Sequence, residues 1–211
     1  KENNFNGDAV RVNTNLTISK TSVEGGVNFL IPNFKYSDKS LSVDTTRRDT
    51  DLLSSNGYKN KLTGISLGTS FEQKQNFYLS PSLTIEHEKL ETSKRASSKL
   101  KAQEGTYFDL NFNYGMLYDL RDQPYATTDG FYSKFSQTIP VVSDSWSLVN
   151  TYDFKTYHQL SEQMISSVSF YIKAINSLGG DDVVVSDRVY LPSKRLRGFK
   201  KGRIGPKDNQ E

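Results

Sequence analysis

The chain predicts an all-β fold, a transmembrane antiparallel β-barrel, and three observations carry that reading. Apolar and polar residues alternate with a period of two through most of its length. The alternating runs exceed the ~5–6 residues of an ordinary globular strand. Aromatic residues make up 12% of a composition that is only 35% hydrophobic, with 12 Tyr and 12 Phe. Mean hydropathy is −0.62. Disorder does not fit, because disordered chains are depleted in aromatic and β-branched residues. A β-sandwich also alternates, but with shorter strands that bury their apolar faces against a second sheet. A membrane barrel turns one face of each strand to lipid and the other to a wet lumen, over ~10 residues or more. Half of every strand can then be polar, and the low hydropathy is explained.

The elements follow in order. In AVRVNTNLTIS, Val10, Val12, Leu16 and Ile18 share one face, opposite Arg11, Asn13, Asn15 and Thr17. A helix would gather i, i+3 and i+4 instead. Val23, Gly25, Val27, Phe29 and Ile31 repeat the pattern, and Asn6-Gly7 and Lys20-Thr21 mark the turns around the first strand. Further strands are predicted at about 39–50, 60–74, 76–91, 105–122, 129–141, 144–160 and 163–178, about nine in all. The clearest is YFDLNFNYGMLYDLRD. There Phe108, Leu110, Phe112, Tyr114, Met116 and Tyr118 form one apolar stripe, with Asp109, Asn111, Asn113 and Gly115 between them.

Aromatics collect where hydrocarbon meets water, and Phe34, Tyr36, Phe77, Tyr78, Phe131, Tyr132, Tyr152 and Phe154 are expected to form such girdles near strand ends. Connections alternate between tight turns (Asn6-Gly7, residues 72–76 and 160–163) and long polar loops (50–60 and 92–105). The basic SKRASSKLKAQEG, with Lys94, Arg95, Lys99 and Lys101, reads as a solvated loop, with attraction to anionic lipopolysaccharide as the alternative. Loops 50–60, 92–105 and the segment after Leu178 are expected outside the cell, with Asn6-Gly7 and 122–130 in the periplasm.

Several chemistries are excluded or weak. There is no Cys, so disulfides, thiolate metal sites and thiol nucleophiles are absent. The net charge of +3 is a weak argument for any polyanionic partner. No stretch approaches the ~20 apolar residues of a membrane helix, and KENNFNGDAV lacks a signal-peptide core. Glu86-His87-Glu88 resembles a metal cluster on paper, but in a strand His87 points away from both neighbours. His158 is expected near an interface beside Tyr157. Leu178-Gly179-Gly180-Asp181-Asp182 reads as a turn, since no helix follows to cradle phosphate. Nucleophile-elbow, zinc-protease and Walker patterns are missing. The expectation is no enzyme, no metal and no cofactor.

RLRGFKKGRIGPKD, residues 195–208, is basic but lacks the interleaved aromatics of a nucleic-acid patch, so no nucleic-acid partner is expected. Arg197-Gly198-Phe199 followed by Ile204-Gly205-Pro206 resembles the sixth-loop signature of the BamA-like outer-membrane assembly proteins. Two-partner secretion transporters and the mitochondrial sorting and assembly channel are relatives. YDLRDQPYATTDG is similar to the same family's strand-end and turn motif, through Asp119, Arg121, Asp122, Pro124, Asp129 and Gly130. Thr127 stands where the family usually has Pro, which predicts a less rigid turn.

The resemblance spans the chain. It implies a partial barrel domain of bacterial surface antigen type over residues 1–211. The strands would be the third to eleventh of sixteen, ending within the sixth extracellular loop, with the POTRA modules outside this piece. It further implies a Gram-negative outer-membrane insertase for β-barrel proteins; the alternative is the translocation pore of a two-partner secretion or related transporter. Unfolded β-barrel clients, assembly-complex lipoproteins and outer-membrane lipid or lipopolysaccharide are the implied partners. If the loop folds into the lumen, Arg197 needs carboxylate partners, Gly198 allows a sharp turn and Phe199 supplies an apolar anchor.

Overall fold

Side chains that alternate across a strand demand two environments, and this chain supplies them with a single sheet. The computed structural model describes residues 2–5, 9–180 and 182–189. Ten antiparallel strands pair strictly in chain order. They are β1 (Glu2–Phe5), β2 (Val10–Ile18), β3 (Ser22–Ile31), β4 (Ser40–Leu52), β5 (Tyr58–Lys74), β6 (Phe77–Thr92), β7 (Gly105–Asp119), β8 (Gly130–Ser143), β9 (Ser147–Ser161) and β10 (Met164–Ser177). The sequence predicts nine of these. It misses β1, four residues joined to β2 through a shifted register, because so short a run shows no period.

Register keeps each face pure. Leu83 pairs with Phe112, and Phe112 with Ile139, so the apolar stripes of β6, β7 and β8 merge on one face. Large apolar side chains lie exposed there, among them Leu67 (53%), Leu83 (48%) and Val168 (62%). Among the described residues only Leu90, Leu100, Val184 and Val185 form a buried apolar cluster. A water-soluble sheet of this size could not leave so much hydrocarbon uncovered. Lipid is its natural solvent.

The other, inner face is a hydrogen-bonded polar wall. Thr138 Oγ1 donates to Asn113 Oδ1 (2.7 Å), Asn113 Nδ2 to Thr84 Oγ1 (2.9 Å), and Thr84 Oγ1 to Ser66 Oγ (3.0 Å). That chain crosses four strands. Nearer β2, Asn13 Nδ2 donates to Asn28 Oδ1, and Asn28 Nδ2 to Asp44 Oδ1 at 2.6 Å. Arg48 grips Glu24 through two bonds, at 3.1 and 3.2 Å.

Residues 53–57 and 93–104 join strands at one end of the sheet, the loop end. Residues 75–76, 120–129 and 162–163 do so at the other, the turn end. Two expectations need correction. The basic segment 93–105 is not simply solvated: it forms the short helix α1 (Ser98–Lys101), capped by Ser97 Oγ accepting from Leu100 N at 3.2 Å. Leu100 is buried against Leu90 of β6 and Val184 and Val185 beyond β10. The aromatic pairs also do not form one girdle, because neighbouring residues face opposite ways. Phe77 and Phe131 point outward, while Tyr78 and Tyr132 face inward. Tyr152 pairs with Phe135 and Ile172 well inside β9. Phe34 and Tyr36 lie in a 3-10 turn between β3 and β4, with Tyr36 fully exposed. An outward aromatic cluster does form toward the turn end, where the Phe131 ring contacts Tyr118 and Phe154 at 5.9 Å each.

Candidate functional site

The strand-end motif closes the turn between β7 and β8 as a bonded unit. Asp119, the last residue of β7, receives Arg121 Nε at 2.8 Å and Nη2 at 2.6 Å, a two-point clamp between residues only two apart. The same guanidinium donates to the Pro124 carbonyl at 3.3 Å and lies over the Tyr132 ring, 4.9 Å from its centre. Asp122 reaches across the loop: its carboxylate accepts the Thr128 hydroxyl at 2.6 Å and the Thr128 amide at 3.1 Å. The Thr128 hydroxyl bond holds the Asp122 carboxyl below its ordinary range. Asp122 N donates to the Asp129 carbonyl, and Leu120 N to the Phe131 carbonyl, which continues the ladder into β8.

Gly130 is dictated by this closure. Its φ is +94°, and a Cβ there would collide with the Leu120 carbonyl oxygen. Thr127 is 8% exposed, and its hydroxyl donates to the Gln123 carbonyl at 2.7 Å. Asp129 lies 3.4 Å from His158 Nδ1, with both side chains exposed. The six sequence-predicted residues therefore lie together at the turn end, from the last residue of β7 to the first of β8.

At the loop end, the segment after β10 bends onto the inner wall. Leu178 N donates to the Trp146 carbonyl, and Gly180 adopts φ +83°. Val184 and Val185 then pack on Leu90 and Leu100, while Val185 N donates to Gln103 Oε1 at 3.0 Å. Asp187 faces the inner-wall residues Glu86, Asp109 and Lys173. Burial, reinforced by the Asp109 and Glu86 charges and opposed by Lys173, pushes its carboxyl up to about 6. Asp109 itself is nearly buried and organises the β8–β9 turn, accepting the Ser143 hydroxyl and the Asp144 and Ser145 amides. Glu88, also buried, faces Ser186 and Asp187 of the same segment.

These wall carboxylates were not singled out from sequence as a set. Their signal was phase: Asp109 shares the inner face of β7 with Asn111 and Asn113, and Glu86 and Glu88 share that of β6. His87 lies on the opposite face from both glutamates, paired with Thr63 and Phe108. Arg197, Gly198, Phe199, Ile204, Gly205 and Pro206 lie outside the described residues, as do Asn6-Gly7 and Asp181.

Long antiparallel strands, an exposed apolar outer face, a hydrogen-bonded polar inner face and a segment folded against that inner wall define a stretch of transmembrane β-barrel wall. The chain belongs to the Omp85 superfamily, whose domain matches residues 4–211. Its fold is similar to that of BamA from Haemophilus ducreyi lacking POTRA domains 1-3, with a TM-score of 0.84 and 22% identity. That match covers 97% of this chain and 43% of the other, so this chain spans less than half the length of the structure it resembles. No curated protein sequence matches the chain. Family and fold together make it part of a BamA-like outer-membrane β-barrel.

Proposed function

We propose that the chain forms barrel wall in an insertase that folds β-barrel proteins into the outer membrane of a Gram-negative bacterium. It performs no covalent chemistry and needs no cofactor. The observation that carries this reading is membership of the Omp85 superfamily over residues 4–211, on a wall that already receives a loop segment on its inner face. The loop ends of β4, β5 and β6 would face the cell exterior and the 119–130 turn the periplasm. Unfolded β-barrel clients, assembly lipoproteins and outer-membrane lipid are the proposed partners.

Within this reading, Arg197-Gly198-Phe199 docks inside the lumen and ties the loop to the wall. Val184 and Val185 already pack on the wall beside Leu90, and Glu86, Glu88 and Asp109 supply carboxylates on the same inner face. A guanidinium suits such a place because it is always charged and donates in a planar fork. Removing it would leave wall carboxylates without their cation, a cost of several kcal/mol for a well-buried pair.

Reconstitution of the full-length protein in lipid vesicles tests both statements. The wild type should accelerate folding of an unfolded β-barrel client, read as the heat-resistant gel band. Arg197→Ala should slow it and weaken the barrel's own heat resistance, while Arg195→Ala, Lys200→Ala and Lys201→Ala change little. Four equal effects would reduce the stretch to a basic loop. Transport of an unfolded secreted substrate with no acceleration of client folding would select the translocation-pore reading.

A further inference from the structure

The outward face changes chemistry abruptly near the loop end. On β5, Leu67 and Ile65 give way to Thr63 and Lys61. On β6, Leu83 and Ile85 give way to His87 and Lys89. On β4, Val43 and Thr45 give way to Arg47 and Asp49. Register aligns these transitions, because Arg47 pairs with Thr63, and Thr63 with His87. At that boundary lies a groove of about 550 Å³ lined by Gly25, Arg47, Thr63, Ile65, Ile85 and His87, among others. Gly25 opens it by having no side chain on the outward face of β3.

The groove has a cationic rim. Arg47 Nη1 donates to Thr63 Oγ1 at 2.8 Å and Nε to Asp49 Oδ1 at 3.1 Å, which holds the guanidinium across the top while the side chain stays 58% exposed. One row further out, Lys61 and Lys89 are direct cross-strand partners. Like charges directly opposite one another destabilise a sheet. Asp49 is the other cross-strand partner of Lys61, and Glu91 takes Lys89 at 2.8 Å, so the rim is partly neutralised on its flanks. A cationic rim over an apolar slot matches a molecule with an anionic head and a hydrocarbon tail.

We propose that this groove binds a phosphate-bearing lipid of the outer leaflet, with the phosphate held by Arg47, Lys61 and Lys89. One acyl chain lies along the groove, over Gly25 and Thr45 and against Ile65 and Ile85. The inference rests on the orientation given above, with residues 50–60 and 92–105 outside. It deepens that reading by giving a lipid of that membrane a site on the wall.

The test is native mass spectrometry of the delipidated full-length protein, titrated with diphosphorylated lipid A, dephosphorylated lipid A, phosphatidylethanolamine and inorganic phosphate. The expected result is preferential retention of diphosphorylated lipid A. Lys61→Gln with Lys89→Gln should weaken it about tenfold or more, as for loss of two surface cations. Gly25→Leu fills the groove from an extended backbone position, where a Cβ meets only ordinary contacts at 3.6 Å. It should weaken lipid A binding while leaving that of inorganic phosphate unchanged. Equal retention of phosphorylated and dephosphorylated lipid, or no effect of either variant, would overturn the proposal. Client folding should stay normal in the lysine variants, which separates failure of this site from failure of the insertase reading.

Discussion

Gly130 leaves no room for a side chain. Its positive φ alone costs a non-glycine residue about 1–3 kcal/mol, and the Leu120 carbonyl occupies the place of a Cβ. Gly130→Ala should therefore lower barrel stability by at least that amount in a urea folding titration of the full-length protein. Gly105→Ala is the matched control: nothing lies within 4 Å of its Cβ position, and it should be nearly neutral. Thr127→Val, which removes one hydroxyl donor from a buried position, should cost about 1 kcal/mol. Similar values for Gly130→Ala and Gly105→Ala would mean that the turn does not hold the strand ends together.

At the scale of elements, β7 separates the two solvents most cleanly. Phe112 joins the outward stripe, whereas Asn113 is bonded into the inner polar chain. Phe112→Arg should destabilise the barrel by ~2–4 kcal/mol near the membrane midplane, and Asn113→Arg should cost much less. Equal costs in the same titration would count against a lipid-facing stripe. Docking of the segment after β10 is expected to depend on pH through Asp187. With the Asp187 carboxyl raised from an ordinary 3.8 to about 6, the folded state binds the proton more tightly than the unfolded state. Docking is therefore strongest at low pH and weakens as pH rises from about 4 to about 6, staying weaker above. Exchange of the Val185 amide, corrected for its intrinsic rate, should show more protection at pH 5 than at pH 7.5. Asp187→Asn should reduce the difference, and a pH-independent wild type would contradict the assignment.

Across the whole molecule, what the sequence revealed follows from what period two can encode. It places Phe108 to Tyr118 on one face and Asp109 to Asn113 on the other, because alternation is a property of the extended backbone itself. It cannot show that Asp109 caps a turn more than thirty residues away, or that Leu100 is buried, since both depend on which strands become neighbours. Single residues also mislead when a pair is read as a unit: Phe77 and Tyr78, or Phe131 and Tyr132, look like girdle pairs but point opposite ways. In the 119–130 turn, only the fold shows Arg121 turning back on Asp119 and the Thr127 hydroxyl donating to the Gln123 carbonyl.

The central claim is a membrane-spanning wall with its loop end outside and its turn end inside. Single cysteines at Ser97 and Gln75 of an otherwise cysteine-free full-length protein, probed in intact cells with a membrane-impermeant maleimide, test it most directly. Ser97→Cys should label in intact cells, and Gln75→Cys only after the outer membrane is permeabilised. Labelling of Gln75→Cys with protection of Ser97→Cys would invert the topology, and equal labelling of both in intact cells would contradict a wall that crosses the membrane.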